Sequence, residues 1–193
     1  MAGRRDFLAG MLAAALAPRA LAADPPDWER LRKGGLVLLM RHTSTVAAGV
    51  DPRGFKLSDC ASQLALSDEG RTEAIRVGER LKQERVPIGK VYSSPWCRCH
   101  ETAMLAFGKA EDWLPLGTTF YEPDKEPEYT QRVKQRIGGY ASHDMGGNIV
   151  MVTHNTNIAA LTKLSVPHGA MVVLRPDGCC GFKVVEMLEP LEA

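Results

Sequence analysis

The 193-residue sequence has few of the features typical of nucleic-acid-binding or membrane-spanning proteins. Its formal net charge is only +1, only 6% of its residues are aromatic, and no block of basic residues is interleaved with aromatic ones. No stretch approaches the roughly 20 consecutive apolar residues that a transmembrane helix needs. Internal repeats and low-complexity tracts are absent as well. We therefore expect no nucleic-acid partner and no transmembrane segment.

The first residues have the layout of a secretory signal peptide. The segment "RRDFLAGMLAAALAPRALA" combines Arg4-Arg5 with a short apolar stretch and the small-x-small triplet Ala20-Leu21-Ala22. Paired arginines are typical of twin-arginine export signals. We predict a signal peptide at residues 1–22 that engages export machinery, a single domain at 23–193, and a periplasmic or secreted location. Without residues 1–22 the chain has 21 basic and 22 acidic residues, a formal charge of −1.

The sequence contains five cysteines, namely Cys60, Cys97, Cys99, Cys179 and Cys180. Export would place them in an oxidising compartment, where disulfides persist. An odd number leaves at least one thiol without an intrachain disulfide partner. We favour a disulfide from Cys60 to Cys97 or Cys99. The alternative is a metal site built from Cys97, Cys99 and His100, although a Cys-x-Cys without a second matching pair is weak evidence for one.

Apolar strands alternate with amphipathic helices along the chain, which predicts an α/β sandwich with a mostly parallel central sheet. The continuous apolar run at 36–40 is typical of a strand buried on both faces, "NIVMVTH" repeats this pattern and ends on a histidine, and "IGKVYSS" is a further strand. Two strands around a Pro-Asp-Gly turn predict a C-terminal hairpin. The predicted helices follow Ser67, Ser94-Pro95, Glu126 and Asn155.

Helix signals are strongest at two of these positions. Ser67 is the expected N-cap of an amphipathic helix whose residues Ala74, Ile75, Val77 and Leu81 should face the core. Ser94 is the expected N-cap of the next helix, with Pro95 at its first position and Gly108 at its end.

Polar residues stand at the ends of three predicted strands. These are Arg41-His42, then Ser93-Ser94 with Arg98 just beyond, and Thr153-His154. Parallel neighbours bring their carboxyl ends to one edge of the sheet, where ligands bind. Two arginines and two histidines there would form a cationic pocket of phosphate size, because guanidinium groups match phosphate oxygens. A neutral histidine can attack phosphorus in line, and a protonated one can stabilise the transferred phosphoryl oxygens.

The ordered motifs "MRHTST", "LSDEGRTEA", "VYSSPWCRCHETA" and "VTHNTNI" resemble those of the histidine phosphatase (phosphoglycerate-mutase-like) superfamily from about residue 36 to 161. The resemblance implies a three-layer α/β/α sandwich. It also implies that His42 is the phosphorylated nucleophile, that Arg41 and Arg98 bind phosphate, and that His154 is the second pocket histidine. Neither a metal nor a cofactor is expected. The length is similar to that of compact bacterial phosphohistidine or sugar-phosphate phosphatases rather than large mutases.

Three positions depart from the family pattern. Thr43 stands where glycine is frequent, and it should alter the loop or offer a hydroxyl to phosphate. Glu73 stands where glutamine is frequent and could be a surface residue. Asn155 replaces the aspartate that serves as the acid in one branch, so another group must protonate the leaving group. Among the acidic residues of "TFYEPDKEPEY" we select Glu122, because the aromatic residues before it could raise its pKa by desolvation.

The sequence therefore predicts a metal-independent phosphatase that acts on a phosphomonoester, a sugar phosphate or a phosphohistidine. If no acid exists, substrates with good leaving groups should be favoured. The alternatives are a phosphate- or anion-binding module of the same fold and, less favoured, the exported Cys/His metal-binding protein. His143 and His168 are expected at the surface. Thr102 should support Arg98 from one turn further along the helix, while His100 and Glu101 should point away from the pocket.

Overall fold

The computed structural model describes residues 25–140, 146–179 and 181–191. The predicted signal peptide, His143 and Cys180 lie outside the described residues. Within these ranges no helix is long and apolar enough to cross a membrane.

Five α-helices and six strands make up the described part of the chain. The helices are α1 (Trp28–Lys33), α2 (Asp68–Gln83), α3 (Cys97–Phe107), α4 (Glu126–Gly138) and α5 (Asn155–Thr162). The strands are β1 (Val37–Arg41), β2 (Ile88–Ser93), β3 (Glu111–Asp112), β4 (Asn148–Thr153), β5 (Met171–Pro176) and β6 (Phe182–Leu188). Three short 3₁₀ helices lie at Cys60–Ser62, Leu114–Leu116 and Pro123–Lys125.

The strands form one sheet in the order β3-β2-β4-β1-β5-β6. The pairs β3-β2, β2-β4 and β4-β1 are parallel, whereas β1-β5 and β5-β6 are antiparallel. Since β4 lies between β1 and β2, the carboxyl ends of these three strands are adjacent, with Arg41 opposite Thr153 and Ser93 opposite Val152. The predicted mostly parallel sheet, its C-terminal hairpin and the common edge are confirmed.

Helices cover both faces of the sheet, so the architecture is the expected three-layer α/β/α sandwich. On one face Leu38 and Met40 pack with buried residues of α1, α2 and α3. On the other face Val37 and Leu39 pack with buried residues of α4 and α5. Successive strand residues point to opposite faces, so a strand covered on both sides must be apolar throughout. Each fully buried aliphatic side chain contributes about 1.5–3 kcal/mol to this core.

Two details of the predicted helices are wrong. Ser67 caps α2 as expected, its hydroxyl accepting from the backbone of Gly70 at 2.9 Å, but Ile75 is 43% exposed and does not join the core. Helix α3 begins at Cys97, not at Pro95, and its N-cap residue is Trp96. The Ser94 hydroxyl is instead directed to His154, as described below. Gly108 ends α3 in the left-handed conformation (φ 67°), as predicted.

The predicted disulfide joins Cys60 to Cys97. It attaches the long segment between β1 and α2 to the first residue of α3, and Gln63 adds a second attachment by accepting from the Cys97 backbone N–H at 3.0 Å. Cys99 is a buried thiol whose pKa is raised to about 12 by burial, so it stays protonated.

Candidate active site

The carboxyl-terminal edge of the sheet brings His42, Arg98 and His154 together. His42 follows β1, His154 follows β4, and Arg98 lies in the first turn of α3, which follows β2. The two imidazole rings meet edge to face with centroids 5.4 Å apart. All three side chains are buried, with at most 6% of each residue exposed. The sequence-based expectation that the strand ends converge is therefore met for these residues.

His42 is held in one orientation by its own backbone neighbour. Its Nδ1 lies 2.9 Å from the carbonyl oxygen of Thr43, which can only accept, so Nδ1 carries the proton. The opposite ring nitrogen, Nε2, then has a free lone pair. Burial lowers the pKa of His42 to about 3, helped by the positive charges of Arg98 and Arg41 and outweighing the hydrogen bond to Thr43. The imidazole is consequently neutral near pH 7.

His154 is the reverse tautomer. Arg98 Nη2 donates towards its Nδ1 at 3.4 Å, so Nε2 carries the proton and donates to the Ser94 hydroxyl at 2.9 Å. Burial holds the pKa of His154 well below its ordinary value, with further lowering by His42 and Arg98. Ser94 therefore orients the second histidine, which explains why it does not cap α3.

Arg98 is fixed by a buried ion pair with Asp51, whose carboxylate accepts from Nη1 at 2.7 Å. Thr102, one turn further along α3, donates to the Arg98 carbonyl at 2.7 Å, as predicted. The Arg98 Nε is buried and has no hydrogen-bond partner in the described part of the chain. An unpaired buried donor on a cation is costly unless an acceptor reaches it, so this atom is available to an anion.

Arg41 lies beside the cavity and not in its lining. Its Nη1 donates to the Val166 carbonyl at 2.7 Å and its Nη2 to His168 Nε2 at 2.8 Å, while its Nε is a second buried donor without a partner among the described residues. His168 packs against His42 with ring centroids 5.3 Å apart. The prediction that His168 is a surface residue is therefore wrong.

The cavity between these groups has a volume of about 120 Å³. Its lining comprises His42, Gly49, Val50, Arg98, Thr118, Phe120, Tyr121, His154, Asn155 and Thr156. Glu122 is exposed and is not part of this lining. The structure gives no support to its selection as general acid, because the adjacent Tyr121 turns its hydroxyl to Asp51 at 3.0 Å and does not bury the Glu122 carboxyl.

The three departures from the family pattern have distinct structural roles. Thr43 is fully buried and its hydroxyl bonds Thr102 at 3.1 Å, so it braces the loop and is not offered to the cavity. Glu73 is not a free surface residue, since it accepts from the backbone and hydroxyl of Ser44 at 2.9 and 2.8 Å. Asn155 bonds Ser165 and the Val166 N–H through its amide.

Two residues of the alternative metal site, Cys97 and His100, have other partners outside the cavity. Cys97 is in the disulfide, and His100 bonds Asp112 at 2.8 Å on the outer side of α3. Glu101 pairs with Arg71 at 2.7 Å, also away from the cavity, as expected. The described residues contain no group of three or more His, Cys, Asp or Glu side chains placed to hold a metal.

Sequence reasoning missed Asp51 as a site residue. It is the most connected side chain of the site, accepting from Arg98, Tyr121, the Leu64 N–H and the Trp96 indole. No local pattern marks it, because an aspartate next to proline in a loop is an ordinary turn residue. The Trp96 ring packs edge to face against His154, with ring centroids 5.6 Å apart.

Comparison with known proteins agrees with this fold. Residues 37–122 match the family model of the histidine phosphatase superfamily (branch 1). Sequence comparison with curated proteins finds no match. The motifs and the fold agree with the match to the family model, which covers 86 of the 193 residues.

Several solved structures share this fold. SixA from Agrobacterium tumefaciens, a candidate phosphohistidine phosphatase, is 20% identical, with a TM-score of 0.52 over 81% of this chain and 99% of that one. The protein histidine phosphatase SixA in complex with tungstate is 18% identical, with a TM-score of 0.52 over 80% and 97%. Phosphoserine phosphatase from Entamoeba histolytica, bound to 3-phosphoglyceric acid, is 15% identical, with a TM-score of 0.56 over 80% and 96%.

Proposed function

We propose that this protein is a metal-independent phosphatase that forms a phosphohistidine intermediate on His42. The observation that carries the proposal is the meeting of His42, His154 and Arg98 around one small cavity at the sheet edge. The match of residues 37–122 to the histidine phosphatase superfamily supports phosphatase chemistry in general. The substrate is a small phosphorylated molecule, either a phosphomonoester such as a sugar phosphate or a phosphohistidine.

The first step uses the tautomer that the backbone of Thr43 enforces. The lone pair on His42 Nε2 attacks phosphorus, a nitrogen–phosphorus bond forms, and the bond to the leaving group breaks. Arg98 supplies fixed positive charge and an unpaired buried Nε–H for the phosphoryl oxygens, and Arg41, beside the cavity, adds positive charge near His42. The negative charge of a bound phosphoryl group opposes the burial that holds the pKa of His154 low, and a His154 protonated in its presence donates to the oxygens on which charge gathers in the transition state. Water then attacks the phosphohistidine, which releases phosphate and restores His42.

The proposed mechanism contains no carboxylic acid. Glu122 is exposed outside the cavity, Asp51 forms an ion pair with Arg98, and Asn155 has no ionisable proton. Departure of the leaving group therefore depends on its own stability as an anion. Leaving groups of low pKa should react fastest.

The test is hydrolysis of para-nitrophenyl phosphate by the protein without residues 1–22, in the presence and absence of a chelator. We expect chelator-resistant phosphate release and an acid-labile phosphorylated enzyme, both lost in His42→Ala. His100→Ala, which changes a histidine on the outer side of α3, should keep full activity. Activity that persists in His42→Ala, or that the chelator removes, would overturn the proposal.

A phosphate-binding module without turnover is the second candidate, and the absence of an acid from the described cavity lining favours it. The same assay separates the two functions. Phosphate binding by calorimetry, together with no hydrolysis even of para-nitrophenyl phosphate, would establish the binding module.

We also propose that residues 1–22 direct the protein out of the cytoplasm. The Cys60–Cys97 disulfide supports this location, because disulfides persist chiefly in oxidising compartments. Cell fractionation of the full chain should recover the shortened protein in the periplasm or medium. Replacing both Arg4 and Arg5 by lysine should retain the protein in the cytoplasm if the twin-arginine route is used. Unchanged export of that variant would exclude the route.

A further inference from the structure

The cavity has two chemically different ends. His42, Arg98 and His154 form the inner, cationic end. Val50, Phe120 and Tyr121 form an apolar mouth, and they are 51%, 58% and 36% exposed. A phosphate group gains nothing from apolar side chains, so this mouth faces the other part of the substrate.

The backbone beneath Phe120 is held in place from both sides. The Thr118 hydroxyl accepts from the Phe120 N–H at 3.2 Å and also bonds the Thr156 hydroxyl at 3.2 Å. On the other side, Tyr121 donates to Asp51, the partner of Arg98. The rings of Phe120 and Tyr121 meet edge to face with centroids 5.2 Å apart. An exposed aromatic ring on such a fixed support is suited to binding, because little entropy is lost when it contacts a ligand.

The charged residues of the cavity lining further restrict which leaving groups the site favours. Within the described lining, Arg98 is the one permanently charged side chain, and its charge is already shared with Asp51. No lysine or second arginine of the lining is available to bind another anionic group on the substrate. No carboxyl group of the lining can donate a proton to an alkoxide. A charged leaving group and an alkoxide leaving group are therefore both disfavoured.

We propose that the substrate is an aryl phosphate whose uncharged aromatic ring packs on Phe120 between Val50 and Tyr121. This proposal rests on the phosphatase function proposed above and names its substrate class. The lone pair of His42 Nε2 forms the nitrogen–phosphorus bond, the phosphorus–oxygen bond to the ring breaks, and the electron pair leaves as a phenoxide that takes its proton from water. A phenol has a pKa of about 10, against about 16 for water, so a phenoxide departs without an acid where an alkoxide does not.

Three matched substrates separate the contributions of ring, leaving group and charge. Phenyl phosphate has the ring and a phenoxide, benzyl phosphate has the ring and an alkoxide, and 4-carboxyphenyl phosphate has a better leaving group but a second negative charge. We expect kcat/KM for phenyl phosphate to exceed that for benzyl phosphate by about 100-fold or more, since each 1.4 kcal/mol of barrier is tenfold in rate. The kcat/KM for phenyl phosphate should also exceed the kcat/KM for 4-carboxyphenyl phosphate, although 4-carboxyphenyl phosphate has the better leaving group.

Variants of the mouth test the ring contact. Phe120→Ala should raise KM for phenyl phosphate about 5- to 10-fold with a smaller effect on kcat, as expected for the loss of one aromatic contact. Phe120→Tyr should restore it. Met104→Ala is the matched control, since Met104 is 43% exposed on α3 and outside the cavity lining. It should leave both constants unchanged.

The outcomes distinguish this inference from the proposed function. Failure to hydrolyse any of the three substrates would overturn the phosphatase itself. Three other outcomes would overturn the aryl assignment alone. They are equal kcat/KM for phenyl and benzyl phosphate, faster hydrolysis of phosphoimidazole than of phenyl phosphate, and an unchanged KM in Phe120→Ala. A neutral phosphotyrosyl peptide separates the two sources of an aryl phosphate. A lower KM for the peptide than for phenyl phosphate would indicate a protein substrate, and a higher one a small molecule.

Discussion

Asp51 and Arg98 form an ion pair with a distance of 2.7 Å between Oδ1 and Nη1, and neither side chain is more than 6% exposed. The pair joins the segment that follows β1 to the first turn of α3. The same carboxylate accepts from the Leu64 N–H at 2.8 Å and from the Trp96 indole at 3.1 Å. Asp51 thus sets the position of the cavity arginine without lining the cavity itself.

Asp51→Asn should lower both stability and activity. It removes the counter-charge from a buried guanidinium, which typically costs about 3–5 kcal/mol when one partner of a buried pair is lost. Displacement of Arg98 by even about 1 Å should lower kcat/KM about 100-fold. Asp124→Asn, at an exposed position, is the control and should behave as wild type in chemical denaturation and in the phosphatase assay. A value of kcat/KM close to wild type in Asp51→Asn would show that Arg98 is positioned by other contacts.

Local sequence patterns were sufficient for five of the six described strands, β3 being the exception, and for the residues His42, Arg98 and His154 of the cavity. The apolar runs ending at Arg41 and Thr153 define β1 and β4, and the topology then places His42 beside His154. Contacts between distant loops were not predictable in this way. Asp51 reaches Arg98 across 47 positions, and His168 reaches Arg41 across 127. Such pairs depend on the way in which long loops fold over the sheet edge. The periodicity of apolar residues does not predict it.

Glu122 shows the opposite error, in which a local pattern suggested a role that the fold does not provide. An aromatic neighbour can bury a carboxyl only if its ring turns towards it. Tyr121 instead packs against Phe55, with ring centroids 4.9 Å apart, and bonds Asp51. The carboxyl of Glu122 therefore stays in solvent.

His168 should matter for activity although it does not line the cavity. Its Nε2 accepts from Arg41 Nη2, which requires a neutral ring. Burial, assisted by the charges of Arg41 and Arg98 and opposed by Glu73, lowers the pKa of His168, so the ring is neutral at pH 7. His168→Ala should lower kcat/KM roughly tenfold, the equivalent of about 1.4 kcal/mol from one hydrogen bond to a charged group.

His168→Gln supplies a neutral acceptor and should recover most of that loss. His100→Ala, which removes a histidine from the outer side of α3, is the control. Steady-state kinetics of the three variants at pH 7.5 decide the point. Equal activity of His168→Ala and wild type would exclude a positioning role for His168.

The buried histidines should make the protein less stable in mild acid. The pKa of His42 is lowered by burial to about 3, and that of His154 lies well below its ordinary value for the same reason. Between the ordinary value of 6.5 and about 3, the unfolded chain binds a proton at each position and the folded chain does not. Stability is therefore fully present above pH 6.5 and is lost as the pH falls towards 3, by up to about 1.4 kcal/mol per pH unit for each histidine.

Urea denaturation at pH 7.5, 6.0 and 5.0 measures this slope. His42→Gln should unfold with a shallower pH dependence than wild type, since one of the two contributing groups is gone. An identical slope in the two proteins would mean that His42 binds its proton equally in the folded and unfolded states, so that burial does not lower its pKa.

The Cys60–Cys97 disulfide should stabilise the fold and the site together. It closes a loop across 37 positions, and the loss of unfolded-state entropy from such a loop is worth about 3–4 kcal/mol. That loop contains Gln63, which holds the start of α3, and Leu64, whose N–H donates to Asp51, the partner of Arg98. Its release should therefore also lower kcat/KM. The double variant Cys60→Ser/Cys97→Ser should therefore show a lower denaturation midpoint and lower activity than wild type. Dithiothreitol should lower the denaturation midpoint and the activity of wild type to those of the double variant, and it should leave the double variant unchanged. A midpoint that changes neither with dithiothreitol nor with the double substitution would mean that the remaining contacts hold the loop without the disulfide.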